Sequence, residues 1–379
     1  MIPFALILLL LFLLANSKFN CASPQDFEKW NPSLHTKEFK SQEKGKEIPL
    51  HRFLYEKGIK LGNGAYGEVK AAAGIEPKLV IKRVASKDEA VLDAMKKEID
   101  ILKELCEKET WQTYNQLFEC KFKAIAEFKG CVEAGNVIYI FQEHMTMDLN
   151  NPIAKKLYRA LSGGRKAQVM VDLIRKFQLI HDKHIVHSDI KPDNIMMKNN
   201  DFGDLRVVDF GLSGKYNNSC TGGSSFYLAP ERFKSQTLTY GGDVYSLAFS
   251  FAVMEEKAFN TINSINDMCF ERTPGRGCRE ALVRGLEQAF SKATKTDFLL
   301  EVFKIATDYQ PKVRYRSMND FAEEITKVAQ NLPGFGNNPD EVPKSTWEVF
   351  LDMIGLGSGS RVRILTSETE KIEKNLLII

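Results

Sequence analysis

The chain has almost no imbalance of charge: 52 lysines and arginines face 49 aspartates and glutamates over 379 residues, a formal net charge of +3. No block of consecutive basic residues offsets that neutrality, so nothing points to nucleic acid as a partner. None of the seven cysteines (Cys21, Cys106, Cys120, Cys131, Cys220, Cys269 and Cys278) stands in a C-x-x-C pair, which argues against a zinc site. An odd count leaves at least one thiol over if the chain meets an oxidising compartment. Cys106 with Cys120 or Cys131, and Cys269 with Cys278, are the candidate pairs, and buried free thiols are the alternative. No internal repeat is evident. Past the N-terminus no apolar run reads as transmembrane.

The N-terminus is where a long apolar run does occur. Residues 2–15 are apolar, too few for a comfortable membrane span of about 20 residues. The run suits the apolar region of a secretory signal peptide, although no Lys or Arg precedes it. Ala15 and Ser17 put small residues where a signal peptidase reads, so residues 1–17 are expected to leave by cleavage after Ser17. An uncleaved signal anchor or a buried terminal helix are the alternatives. Hydrophobic content of 44% and charged content of 27% are ordinary for a globular protein with a sizeable core.

Residues 18–52 are polar, mixed in charge and broken by Pro24, Pro32 and Pro49, a loosely ordered lead-in. Between Tyr55 and Met145 short β-rich runs (67–72, 78–84, 124–131 and 137–143) surround one amphipathic helix at about 87–106. There Leu92, Met95, Ile99 and Leu102 recur at helical spacing while Asp93, Lys96, Lys97, Asp100 and Lys103 fall on a wet face. From Asp148 to Leu332 the pattern is mainly helical, with β-like stretches at 195–197 and 205–208. The order predicts an α+β protein of two lobes: a small β-rich lobe at 53–145 and a large helical lobe at 146–332. Residues 333–379 form a tail that opens on a Gly/Asn/Pro-rich linker and carries a short amphipathic stretch at 347–354.

Four motifs follow one another. Gly62-Asn63-Gly64-Ala65-Tyr66-Gly67-Glu68-Val69 is a glycine-rich string whose backbone can approach phosphates because no Cβ intervenes. It is weak alone, since a dinucleotide site reads similarly, but here a β-like run and not a helix follows. Leu79-Val80-Ile81-Lys82 ends an apolar strand on a lysine, and the helix offers Glu98 as a partner that would hold the ammonium against nucleotide phosphates. His187-Ser188-Asp189-Ile190-Lys191-Pro192-Asp193-Asn194 comes third. Asp209-Phe210-Gly211 follows an apolar strand and is itself followed by Ala229-Pro230-Glu231.

With these residues in this order, the chain resembles the eukaryotic-type protein kinase family over about residues 53–332. The resemblance implies a bilobal kinase fold and ATP-dependent transfer of a phosphoryl group to a protein hydroxyl. ATP and Mg²⁺ would be the cofactors, with Mn²⁺ as a substitute. Asp189 would be the catalytic base or would orient the substrate hydroxyl, and Lys191 would steady the γ-phosphate. Asn194 and Asp209 would hold the metal. Lys82, paired with Glu98, would position the α- and β-phosphates. Leu61, Gly62, Asn63, Gly64, Ala65, Tyr66, Gly67, Val69 and Val80 would cover the nucleotide. Gln142 would be the gatekeeper, and the backbones of Glu143 and Met145 would bond adenine. Asp243 would brace the catalytic loop, and Arg314, with Arg316 as its competitor, would pair with Glu231.

Two features of the resemblance imply a Ser/Thr enzyme: Lys191 two residues after Asp189, and Gly223-Ser224-Ser225-Phe226-Tyr227, where the Ser224 hydroxyl would bond Asp189 and Lys191. Ser188 departs from the family pattern, standing where an arginine usually precedes the catalytic aspartate. Serine cannot engage an activation-segment phosphate as arginine does, so activity independent of that phosphorylation is expected. Ser219, Thr221, Ser224 and Ser225 are nevertheless the candidate phosphosites. Val80 replaces a usual alanine and should tighten the adenine pocket. The stretch 106–123 is longer than usual and aromatic, which suggests packing against the lobe. Asn217-Asn218-Ser219 is an N-glycosylation sequon expected to go unused. A monomer with a protein substrate is the expected state, membrane contact requires an uncleaved leader, and a pseudokinase scaffold or a small-molecule kinase are the competing readings.

Overall fold

A computed structural model describes residues 42–43, 46–47, 50–56, 58–64, 67–72, 79–106, 122–255 and 276–336. The leader at 1–17, Ala65 and Tyr66, Trp111, Tyr114 and Phe118, the pairing of Cys269 with Cys278 and the helix expected at 347–354 lie outside the described residues or side chains. After two short paired strands, β1 (Gln42–Glu43) and β2 (Lys46–Glu47), comes helix α1 (Leu50–Glu56). Then β3 (Ile59–Gly64), β4 (Gly67–Ala71), β5 (Leu79–Ala85), β6 (Phe128–Ala134) and β7 (Val137–Glu143) build one antiparallel sheet in the order β3-β4-β5-β7-β6. Between β5 and β6 runs helix α2 (Glu89–Leu105).

The sheet separates two apolar environments because side chains alternate along its strands. Leu79, Ile81, Val132, Tyr139 and Phe141 face outward, where Leu54 and Tyr55 of α1 bury them. Tyr55 meets Tyr139 edge to face, with ring centroids 5.8 Å apart. Val84, Ile138 and Ile140 face inward and pack with Met95, Ile99 and Leu102 of α2. The N-cap Asp88 starts α2 by accepting a hydrogen bond from the Ala90 N–H at 2.9 Å, with Glu89 favourably placed in the first turn.

The sequence pattern predicts a strand at 124–131, and the structure shifts it to 128–134. Residues 124–126 are taken instead by the other lobe: Ile125 bridges Val207, and the N–H of Ala126 and the C=O of Ala124 both bond Val207. Phe122 packs against the main core from the end of the long aromatic connection. Cys106 and Cys131 are both disulfide-bonded, and Cys220 is a free thiol.

The large lobe contains β8 (Met147–Asp148), α3 (Pro152–Ala160), α4 (Gly163–His181), β9 (Ile185–Val186), β10 (Ile195–Lys198), β11 (Asp201–Val207), β12 (Gly214–Lys215), α5 (Tyr240–Met254), α6 (Arg276–Ala289), α7 (Leu300–Ala306) and α8 (Met318–Ala329). Helix α5 is buried on every side from Gly242 to Met254, as its almost uninterrupted apolar sequence requires. Ordered structure extends past both expected domain edges. Helix α1 crosses the one at 52/53, and beyond α8 the chain lies so close to α4 that a Cβ on Gly164 would come within 2.1 Å of the Pro333 carbonyl oxygen. No helix among the described residues is long and apolar enough to cross a membrane.

Two buried charges in this lobe are paired with carboxylates. Lys166 donates to both carboxylate oxygens of Glu255 (2.9 and 3.0 Å) and to the Thr294 carbonyl (2.9 Å). The choice between Arg314 and Arg316 falls to Arg314, which meets Glu231 through two parallel bonds of 2.7 Å and covers the Tyr245 ring.

Candidate active site

Strand register puts three of the residues expected to meet nucleotide on one face. Val80 pairs with Gln142 and Lys82 with Ile140 across β5 and β7, so Val80, Lys82 and Gln142 share the inner face. Lys82 ends in the cleft, its ammonium 2.8 and 2.9 Å from the two oxygens of Glu98 and 3.2 Å from Asp209 Oδ1. Burial alone would lower the Lys82 pKa, but Glu98 and Asp209 outweigh it and hold the ammonium charged. One cation thereby ties β5, α2 and the segment after β11 into one arrangement.

The glycine string forms the β3–β4 hairpin, with Leu61 exposed at its edge and Val69 opposite Gly62 and Lys82. At Gly67 the demand for glycine is internal to the sheet: an added Cβ would lie 2.2 Å from the Arg83 carbonyl oxygen. Gly62 has open space where its Cβ would be. Glu143 is held at the start of the hinge by its N–H on the Glu127 carbonyl and by an ion pair with Lys198. Met145 is buried two residues on.

The catalytic loop is organised from below by Asp243 of α5. Its carboxylate accepts the backbone N–H of His187 (2.8 Å) and of Ser188 (2.9 Å) and a bond from His181 Nε2 (2.9 Å). His187 Nε2 reaches the Val208 carbonyl while its Nδ1 accepts the Asp189 N–H, which fixes the tautomer. Ser188 and Asp209 both have left-handed backbone, φ +71° and +62°, a strained conformation held in place by the surrounding bonds.

Above this frame Asp189 gathers three donors. Lys191 and the Asn194 amide donate to Oδ2 at 2.9 and 3.1 Å, and the Ser224 N–H donates to Oδ1 at 2.7 Å. The Ser224 hydroxyl accepts from Lys191 at 2.7 Å, and Ser224 acts on Asp189 through both its side chain and its backbone N–H, the latter giving the short bond. Burial would raise the Asp189 pKa, but the Lys191 and Ser224 bonds outweigh it and hold the carboxyl below its usual range. Asp209 is likewise held low by Lys82 against the effect of burial.

The same balance sets a pH dependence. An acid that must be ionised keeps activity above its folded pKa and loses it as pH falls through that value. With Asp189 depressed below about 3.9, normalised kcat should show no Asp189 limb down to pH 5. In Lys191→Met the burial effect loses one of its opponents, so the acid limb should move to higher pH. Profiles of kcat from pH 4.5 to 8 for both proteins check this.

Asn194 spends its NH₂ on the Asp189 backbone and carboxylate, which leaves its amide oxygen for a cation. Asp209 spends Oδ1 on Lys82 and keeps Oδ2. Two hard oxygens facing one cleft fit Mg²⁺, which takes few protein ligands and fills its octahedron with water and phosphate oxygens. Glu98→Gln removes the ionic partner of Lys82 while preserving shape. The expected result is a loss of about 10²–10³-fold in kcat/KM for ATP, read from initial rates at varied ATP.

Sequence reasoning missed several supports of this site. Ser213 Oγ donates to the His187 carbonyl, His181 meets Asp243, and Lys215 of β12 forms an ion pair with Glu104 of α2. None has a local pattern; all join residues more than 25 positions apart.

Comparison with known proteins agrees with this geometry. Residues 55–276 match the protein kinase domain. The chain is 32% identical over 147 residues to MAP kinase kinase MKK1/SSP32 of Saccharomyces cerevisiae, a match covering 36% of this chain and 28% of that protein. It is 28% identical over 204 residues to serine/threonine-protein kinase 4 homolog A of Dictyostelium discoideum (52% of this chain, 40% of that protein). To MAP kinase kinase skh1/pek1 of Schizosaccharomyces pombe it is 27% identical over 217 residues (53% and 55%). The matched stretch thus spans about half or less of the length of these curated relatives. The match over more than half of the chain, with Lys82 joined to Glu98 and Asp209 and Asp189 joined to Lys191, leads to one statement: this chain belongs to the protein kinase family.

Proposed function

We propose that the protein transfers the γ-phosphoryl group of ATP to serine or threonine hydroxyls of a protein substrate. The observation that carries this reading is the Asp189–Lys191–Ser224 cluster. Of the two Asp189 oxygens, Oδ2 already accepts from Lys191 and Asn194, while the donor within bonding distance of Oδ1 among the described residues is the Ser224 N–H. A carboxylate oxygen has two lone-pair sites, so Oδ1 retains one for the acceptor hydroxyl. The hydroxyl oxygen attacks the γ-phosphorus, the bond from that phosphorus to the ADP oxygen breaks, and the hydroxyl proton passes to Oδ1. A carboxylate with a depressed pKa is a weak base, which suits a loose transition state in which the proton moves late and orientation matters most. Lys191 and Lys82 meet phosphate charge, and Mg²⁺ held by Asn194 and Asp209 would neutralise the rest.

Serine and threonine are favoured because Lys191, two residues after Asp189, bonds both Asp189 and the Ser224 hydroxyl, the arrangement that the resemblance to Ser/Thr kinases implies. One relative, dSOR1 of Drosophila melanogaster, is named a dual specificity kinase, so tyrosine is the acceptor to test against. Radiolabelled ATP transfer to a generic protein, with phosphoamino-acid analysis, decides. Labelled phosphoserine or phosphothreonine that vanishes in Asp189→Ala supports the reading, and equal label in both proteins sinks it. We place the enzyme in the secretory route or beyond the cell, with residues 1–17 as the leader. The disulfide state of Cys106 and Cys131 supports this, because such bonds persist in oxidising compartments. Sequencing the N-terminus of protein from cells tests it: a start at Lys18 supports the placement, and an intact Met1 in the cytosol contradicts it.

A further inference from the structure

The activation segment is anchored along its length by hydrogen bonds from its own backbone and from neighbouring side chains. Asn217 and Asn218 exchange backbone hydrogen bonds with Leu238, and the Cys220 N–H bonds the Gln236 carbonyl, a short antiparallel ladder on the residues leading into α5. Ser224 closes the other end on Asp189 and Lys191. Between these anchors stands Arg232, in the short 3₁₀ turn Pro230–Phe233. Its Nη2 donates to the carbonyls of Cys220 (3.1 Å) and Gly222 (3.4 Å).

The setting of Arg232 is unusual for a surface segment's support. The side chain is 92% buried, and its Nε has no partner among the described residues. It lines a cavity of about 10 Å³ together with Ser188, Leu228, Thr239, Asp243 and Ser246. Asp243, the carboxylate in that lining, is already occupied by His187, Ser188 and His181. Arginine stays charged at any working pH, so the bonds that meet this buried cation come from the carbonyl dipoles of the activation segment. Ser188, on the same cavity, has a buried hydroxyl with no partner among the described residues and, being uncharged, gives the segment no cationic hold.

The geometry points to Arg232 as a positioning residue that holds the activation segment in its working conformation by a permanent charge. It acts through Gly222, two residues before Ser224, and so sets where the Ser224 donors meet Asp189 and Lys191. The role deepens the proposed phosphoryl transfer and rests on that reading for its kinetic half. Its structural half stands without it.

The test compares phosphatase-treated wild type, Arg232→Ala and Arg232→Lys by amide hydrogen exchange and by kinetics. In the wild type the Cys220 and Ser224 amides should be protected with no phosphate present; free exchange there overturns the proposal. In Arg232→Ala those two amides should exchange at least tenfold faster, while the amides of α2 and α5 stay within twofold. Peptide kcat/KM should fall at least tenfold, with KM for ATP within twofold. Arg232→Lys, which keeps the charge but not the fork, should fall between. Unchanged exchange and kinetics in Arg232→Ala refute the role. Faster exchange spread over α2 and α5, with ATP and peptide parameters failing together, assigns Arg232 to fold support and refutes it equally. If Arg232→Ala does not fold, the wild type and Arg232→Lys still decide. A wild type that transfers no phosphate defeats the proposed function and leaves the exchange test intact.

Discussion

Asp189→Asn should lower kcat by about 10²–10⁴-fold while ATP affinity changes little. The loss has two parts that both come from Oδ1 and Oδ2. Asparagine cannot accept the hydroxyl proton. Nor can one amide satisfy donors on both sides: Lys191 and Asn194 approach one oxygen and the Ser224 N–H the other, so an NH₂ group must face a donor whichever way it turns. ATP affinity is spared because Lys82 and Glu98 stand on the other lobe and do not bond Asp189. Single-turnover rates at saturating ATP, with nucleotide binding measured separately, check both halves. A variant with near wild-type turnover would remove Asp189 from the chemistry.

Lys166→Met should destabilise the protein by about 3–5 kcal/mol. The side chains of Lys166 and Glu255 are both 1% exposed, so removing the cation strands a carboxylate in the interior. Burial pushes the Lys166 pKa down and the Glu255 pKa up, each toward its neutral form. Those directions say that the loss of water outweighs the mutual attraction. Replacing both partners should therefore cost far less than replacing one: Lys166→Met with Glu255→Leu is expected to recover most of the single-variant loss. Urea denaturation of the three proteins measures it. Equal losses in the single and double variants would mean that packing against Tyr158, and not charge, makes Lys166 necessary.

The residues expected to carry the chemistry could be picked out as a group because their constraints are local. Asp189, Lys191 and Asn194 lie within one six-residue loop, and Lys82 betrays itself as a charge ending an apolar strand. The helix carrying Glu98 showed its amphipathic period, and the structure starts and ends it within two residues of the expected bounds. What escaped depends on contacts the chain makes with itself far away. Lys166 reads as an ordinary helix lysine until Glu255, 89 positions on, is brought beside it. Arg232 reads as a turn residue until the activation segment folds over it. Residues 124–126 look like the start of a strand, and pairing with Val207 takes them out of the sheet. Helix α1 was hidden in a proline-marked polar stretch; its order comes from Leu54 and Tyr55 meeting the back of the sheet, a tertiary gain that overrides weak local preference.

The two apolar clusters have a calorimetric consequence. The larger one runs without interruption from Val84, Met95 and Ile140 to Phe177, Val244 and Phe321, crossing from one lobe into the other. Heat should therefore take both lobes apart in a single cooperative step. The smaller cluster of seven residues behind the sheet is a separate and weaker domain of cooperativity, free to open below the main transition. Its opening would strip α1 from the sheet's back and leave Lys82, Glu98 and Asp209 in register, so catalytic competence should outlast the first loss of native structure on warming.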